Sequence, residues 1–376
     1  LLAGAGLLFR TLIDLQAVNP GIDAHNLLTF HVNLPKARYS DDAKIIGFFR
    51  EASEQLAHLP GVRSASAVSY LPFNGLPAAT DITIAGRPPA KPGEGIGAVI
   101  RTVLPGYFRT MGIPLKQGRD FTPADDAADS PYRFIVNEAF VRKYFPDEPP
   151  LGHQISADMD QKNPFGELIG VVGDVKEGSV DQDPEPTVYY VHGHLAYGEM
   201  VFVLRTEQDP VHVAVSARKV IQSLDSELPV ADVKTMESVV RSTYARQQFS
   251  TVLLTGFSLS ALLLAAIGLY GLLSYSVIRR TREIGVRVAL GAEPQSILRL
   301  VVGSGVRLVA VGAIAGVAAA LLLSGLMKSM LYGVKARDPL TFLAAPALLL
   351  LISLVAAYFP ARRAAHVSPC EALRAE

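Results

Sequence analysis

Few residues in this sequence have the type and spacing to do chemistry. His192 and His194 stand two apart. On a strand or turn, both imidazoles can then face one side, as two ligands of a metal ion would. A zinc site needs a third and usually a fourth donor, and no paired cysteines or H-E-x-x-H run supplies one. Two surface histidines are the plainer reading. Serine and aspartate are plentiful, but no G-x-S-x-G elbow presents a nucleophile. No G-x-x-x-x-G-K-[ST] loop is present to cradle nucleotide phosphates. The sequence makes no positive case for an enzyme, and no cofactor is expected in this chain.

The richest polar constellation lies in Ile278–Gly291, I-R-R-T-R-E-I-G-V-R-V-A-L-G. Arg279, Glu283 and Arg287 form consecutive i,i+4 pairs, which support a short helix. Ile284, Val288 and Gly291 share one face, and Gly291 suits a C-terminal stop. Pro294 restarts a helix that leads through Arg299. A short charged amphipathic helix of this kind can lie on a membrane surface or dock a partner; a solvated loop is the competing reading. A second pattern is apolar. Gly312, Gly316, Ala320 and Ser324 recur every four residues, so small side chains line one helix face and allow a neighbouring backbone close.

Long apolar helices must carry both patterns. Phe249–Ile278, Leu308–Met327 and Pro339–Ala361 run 30, 20 and 23 residues without a charge. About 20 apolar residues suffice to cross a bilayer. Pro346 predicts a kink in the last of them. The opening run Leu1–Phe9 reads as the tail of a further such helix, so the sequence is expected to be a piece of a longer chain. Residues 1–248 hold 23 basic and 30 acidic side chains, whereas residues 249–376 hold 12 and 5. The net charge of zero is therefore a cancellation between an acidic polar part and a basic apolar one. Nine Lys and Arg fall in 279–307 and 362–376 against three between the last two spans. By the positive-inside rule the former face the cytoplasm and the large 14–245 segment lies outside. The expected order is a truncated span at 1–13, an extracytoplasmic domain at 14–245, spans at 249–278, 308–327 and 339–361, a cytoplasmic segment at 279–307 and a cytoplasmic tail at 362–376. A single cysteine, Cys370, rules out an internal disulfide, so the ectodomain must hold itself together by its core.

Within 14–245 the periodicity changes to short strands and amphipathic helices. Leu27–Leu34 and Val62–Tyr70 read as strands around a helix capped by Ser40, with Ile45, Phe49, Ala52, Leu56 and Leu59 on one face. Met200–Thr206 and Pro229–Val233 flank a second helix, started by Asp209-Pro210, with Val213, Ala217, Val220 and Leu224 on one face. The middle, 96–190, reads as a strand-rich subdomain with a strand at Leu168–Val175 and a helix near Asn137–Tyr144. The fold class expected is a two-lobed α+β extracytoplasmic domain inserted between transmembrane α-helices.

Several longer runs resemble one family. Thr281–Ala292, Leu331–Phe342 and Pro360–Arg374 are similar to the membrane part of the MacB/FtsX-like ABC transporter permeases. Pro105–Thr122, Asn137–Pro146 and Ile169–Lys176 are similar to that family's periplasmic core domain. The wording is nearest to the C-terminal half of duplicated permeases of acidobacteria. The resemblance implies a bacterial inner-membrane permease that transmits ATP-driven closure of a separate ABC ATPase to its ectodomain. It implies a coupling role for Arg279, Arg282, Glu283, Gly285, Arg287 and Gly291. The partners it implies are that ATPase, a second permease unit or a second copy, a membrane-fusion adaptor and membrane lipids; nucleic acid is not expected. Export or extraction of a substrate is one function; an FtsX-like scaffold that activates a cell-wall hydrolase is the alternative. The large ectodomain favours the first.

Overall fold

A computed structural model of the protein describes residues 1–74, 78–88, 97–127, 129–159, 164–279, 286, 294–323, 325 and 338–365. The chain divides into two compact units, Leu1–Ala17 with Ala245–Glu376, and Val18–Tyr244.

The second unit begins as the local sequence patterns dictate. Strand β1 (Leu27–Asn33), helix α2 (Asp42–Ala57) and strand β2 (Val62–Val68) form one strand-helix-strand unit. Strand β10 (Glu199–Thr206), helix α5 (Val211–Leu224) and strand β11 (Val230–Thr235) form another. They interleave as an antiparallel sheet in the order β11-β1-β10-β2, the arrangement of a split βαβ lobe. Both helices bury their apolar stripes on one face of it, where Phe30, Phe49, Leu56, Phe202, Ala217 and Ile221 share a core. The cap of α2 differs from expectation: Asp41, not Ser40, accepts the Lys44 amide at 2.9 Å. A carboxylate there also complements the helix dipole, which a serine cannot.

The residues between β2 and β10 fold as a second lobe. Six of its strands are β3 (Ala78–Ile84), β4 (Gly97–Val103), β6 (Arg133–Asn137), β7 (Gln154–Ala157), β8 (Gly166–Val172) and β9 (Thr187–Val191). They pair in the order β4-β3-β7-β8-β6-β9, and β9 returns to β4 in parallel, so the sheet closes on itself. Closure leaves those strands no free edge. Strand β5 (Leu115–Gly118) adds to β8, and the short helix α4 (Glu138–Tyr144) packs on this lobe. Helix α3 (Tyr107–Met111) lies between the lobes, against β2 and β10 of the outer sheet and with Phe108 edge-on to Tyr189 of β9 at 4.9 Å. Ile100, Phe134, Val136, Phe140, Leu168 and Val188 belong to its core. Asn137 caps α4 through its Oδ1, which accepts the Phe140 amide at 3.0 Å and the Thr187 amide at 2.9 Å.

Helix α6 (Met236–Thr243) closes the second unit, and the first unit holds α1 (Leu2–Ala17), α7 (Ala245–Arg279), α8 (Pro294–Leu323) and α9 (Pro339–Ala365). Among the described residues, Gln247–Arg279, Gly305–Leu323 and Pro339–Pro360 are long and apolar enough to cross a membrane. Their outward residues are large and apolar: Leu264, Ile314, Leu322 and Leu343 are all more than two-thirds exposed. Such a surface suits hydrocarbon and not water. Helix α9 runs through both Pro346 and Pro360. Asp338 caps it, accepting the Thr341 amide at 3.0 Å and its hydroxyl at 2.8 Å, and pairs with Arg10 of α1 at 2.8 Å.

Candidate functional site

Of the predicted coupling residues, Arg279 is described. It ends α7 with its guanidinium 5.9 Å from the centre of the Tyr275 ring. Arg282, Glu283, Gly285, Arg287 and Gly291 lie outside the described residues, as do Ser324 and Cys370. Gly312, Gly316 and Ala320 share the wall of a cavity of about 310 Å³ with Ser258, Ala261 and Ala345. A Cβ added at Gly312 or Gly316 would meet nothing within 4 Å. Close approaches within this unit include Gly6, where a Cβ would stand 2.8 Å from the Thr341 side chain, and Gly305, where it would stand 3.1 Å from the Leu273 side chain.

The two histidines do not face a common point. His192 is fully buried, edge-on to Phe49 of α2 at 5.3 Å, with its Nε2 within 3.2 Å of both the amide and the carbonyl of Tyr197. His194 stacks on Tyr132 at 4.2 Å and sets its Nε2 3.0 Å from the Ser130 hydroxyl. Burial pushes both imidazoles towards the neutral form. They are packing residues of the junction between the lobes, and the reading of two surface histidines is corrected for His192. No group of three or more His, Cys, Asp or Glu side chains placed to hold a metal occurs among the described residues.

Around that junction lies polar architecture that spacing did not reveal. Asp126 is buried, and its Oδ2 accepts the Arg50 Nη2 of α2 at 3.0 Å while its Oδ1 accepts the Gly193 amide at 2.7 Å. A side chain at Gly193 would collide with the Asp126 carbonyl, so glycine is required between the histidines. Neighbouring Asp125 is wholly buried and receives Arg119 at 2.7 and 2.9 Å, Thr122 through its amide and hydroxyl, and Arg133. Burial alone would raise its carboxyl. The hydrogen bonds from Arg119, Thr122 and Arg133 outweigh burial and hold it well below the usual carboxylate range. A second buried pair, Arg101 of β4 with Glu177, sits beside Tyr107, whose phenol burial pushes up to about 12. Asp125-Asp126 and their arginines follow neither a helical nor a strand period. Nothing local in the sequence marks them.

Among the described residues the arrangement offers structural ion pairs, two joined lobes and apolar helices. Residues 15–253 match the MacB-like periplasmic core domain, and residues 255–369 match the FtsX-like permease C-terminal family. The chain belongs to the MacB/FtsX-like permease family. It is a membrane protein with an extracytoplasmic domain. Among its relatives is the macrolide export ATP-binding/permease protein MacB of Mannheimia succiniciproducens, 26% identical over 72% of this chain and 42% of the relative. Another is the pyoverdine export ATP-binding/permease protein PvdT of Pseudomonas putida, 26% identical over 70% of this chain and 41% of the relative. The chain thus spans well under half the length of these relatives. Among solved structures, the periplasmic region of MacB from Actinobacillus actinomycetemcomitans is 17% identical, with 63% of this chain and 98% of that one covered and a TM-score of 0.40.

Proposed function

We propose that this chain is the permease subunit of an ABC-type exporter of the bacterial inner membrane. In this reading it crosses the membrane several times with its C-terminus in the cytoplasm, and a separate ATPase drives movement of the extracytoplasmic domain. The observation that carries the reading is the order of the two family matches, a periplasmic core domain followed at once by a permease membrane domain. The relatives' names join export to ATP binding, and these 376 residues contain no P-loop. Energy then enters through a cytoplasmic contact, for which the segment around Arg279, Arg282, Glu283, Gly285, Arg287 and Gly291 is the proposed surface. The Arg10–Asp338 pair supports the topology, because it sets α1 beside the start of α9. A second permease unit and a membrane-fusion adaptor are the further partners proposed.

Glu283→Arg tests the coupling. Each exposed helix pair it disrupts is worth about 0.5 kcal/mol or less, so insertion into the membrane stays at the wild-type level. Like charge set against a complementary partner costs several kcal/mol. The expected outcome is normal abundance with loss of stimulated ATP hydrolysis when the cognate ATPase is co-reconstituted. Wild-type stimulation by this variant would show that the segment is a solvated loop.

A further inference from the structure

The chain enters its ectodomain through Asn19–Asn26, directly after α1, and this short strap has no secondary structure to stiffen it. Its packing is unusual. Ile22 is its buried apolar side chain, and beside it lies a hollow of about 540 Å³ whose lining includes Asn19, Asp23, Lys116, Glu138, Asp174 and Lys176. The other side chains of the strap are partly or fully exposed, so directional polar contacts fix much of its position.

Those contacts reach both lobes. On the barrel side, the Lys176 amide donates to the Pro20 carbonyl at 3.1 Å. Gly21, at φ +84°, lies so close to the Asp174 carbonyl that any Cβ would collide with it. In the middle, the Asp23 amide donates to the Met111 carbonyl at the end of α3, at 2.9 Å. Gly112 lets the two segments meet, since a Cβ there would stand 2.8 Å from that of Asp23. On the outer-lobe side, the Thr206 amide donates to the Asn26 carbonyl at 2.8 Å.

One side chain gathers these fastenings. Arg205 of β10 directs Nε and Nη2 to the Thr110 carbonyl at 3.1 and 2.9 Å. Its Nη2 also reaches the Asp23 carbonyl at 2.9 Å, and its Nη1 reaches the Asp23 carboxylate at 3.0 Å and the His25 carbonyl. A planar fork with five N–H donors can satisfy acceptors on two segments at once; a lysine ammonium at the end of a flexible stem cannot hold that geometry.

We infer that Arg205 is the positioning residue of a mechanical tie: it clamps the strap that follows α1 to α3 and β10, so that displacement of α1 is delivered to both lobes together. The inference rests on the mechanical reading proposed above, but its structural half can be tested independently. Hydrogen exchange is measured on the full chain in nanodiscs, for wild type and Arg205→Lys. The expected result is a joint loss of protection, ten-fold or more, at the amides of Asp23 and Lys176 and across residues 19–26, with β1 and the centre of β10 unchanged. Loss confined to residues 23–26, or none, would overturn the tie. Should Arg205→Lys loosen β10 as a whole, Gly21→Val releases the strap from the barrel end, and exchange must then rise at Asp23 as well as at Lys176. If Asp23 stays protected in that variant, the fastenings are separate and the inference fails.

The functional half uses a readout that simple destabilisation would not divide. With the cognate ATPase, Arg205→Lys should keep stimulated ATP hydrolysis and lose the ATP-dependent displacement of a dye at Glu54. Joint retention of both would overturn the clamp, as would joint loss. Absence of displacement in the wild type would instead sink the mechanical reading, while the exchange data would still decide whether the tie exists.

Discussion

Asp125 is fully buried and ionised, and two arginines with 44% and 29% of their side chains exposed share it. Removing its charge strands less than a fully buried pair would, because the guanidiniums can turn to water. Asp125→Asn should therefore cost about 3 kcal/mol, at the low end for a broken buried pair. Its carboxyl is lowered in the folded state, so its contribution is fully present above the ordinary Asp value of about 4. It is lost as pH falls through the lowered folded value. Thermal unfolding followed from pH 7 to pH 2 should show a lower Tm for the variant at neutral pH and a shallower decline in acid. Parallel wild-type and variant curves would mean that the hydrogen bonds do not favour the charged form. No sequence period marked this site. Asp125 and Arg119 meet inside an irregular turn, and Asp126 finds Arg50 across 76 positions of chain.

At the scale of elements, legibility followed locality. Helices α2 and α5 were readable because their apolar positions recur within single turns, and the strands around them because Pro60-Gly61 and Asp209-Pro210 punctuate the pattern. Phe49 was placed on the buried face and is fully enclosed, touching Phe48, Phe202 and His192. Truncating it to alanine should cost about 3–5 kcal/mol. A denaturant titration showing under 1 kcal/mol would mean that the lobe's core can collapse around the gap. The barrel was only partly readable. Its closing pair joins Val99 to Thr187 in parallel, and β6 joins β8 in parallel, contacts that no local signal specifies. The edge of β4 that could have continued the outer sheet touches β2 through the single pair Val68–Val103, which lets the two lobes curl separately.

For the whole molecule, charge segregation and three long apolar runs carried the reading of a membrane protein with an outside domain, and the family matches over 15–253 and 255–369 establish it. Sidedness follows from the Arg-rich segments and is proposed. Cys370, the one cysteine, should react with a membrane-impermeant maleimide only after cells are opened. Labelling in intact cells would reverse the topology.

The central claim is that ATP hydrolysis on one side of the membrane moves the ectodomain on the other. It is tested most directly by single-molecule energy transfer in a Cys370→Ser background carrying Glu54→Cys on α2 and Arg299→Cys on α8, both exposed positions. With the chain and its ATPase in nanodiscs, adding Mg-ATP and vanadate should shift the transfer efficiency to a second, discrete value, and washing the nucleotide out should restore the first. A single unchanged efficiency while ATP is being hydrolysed would contradict the account.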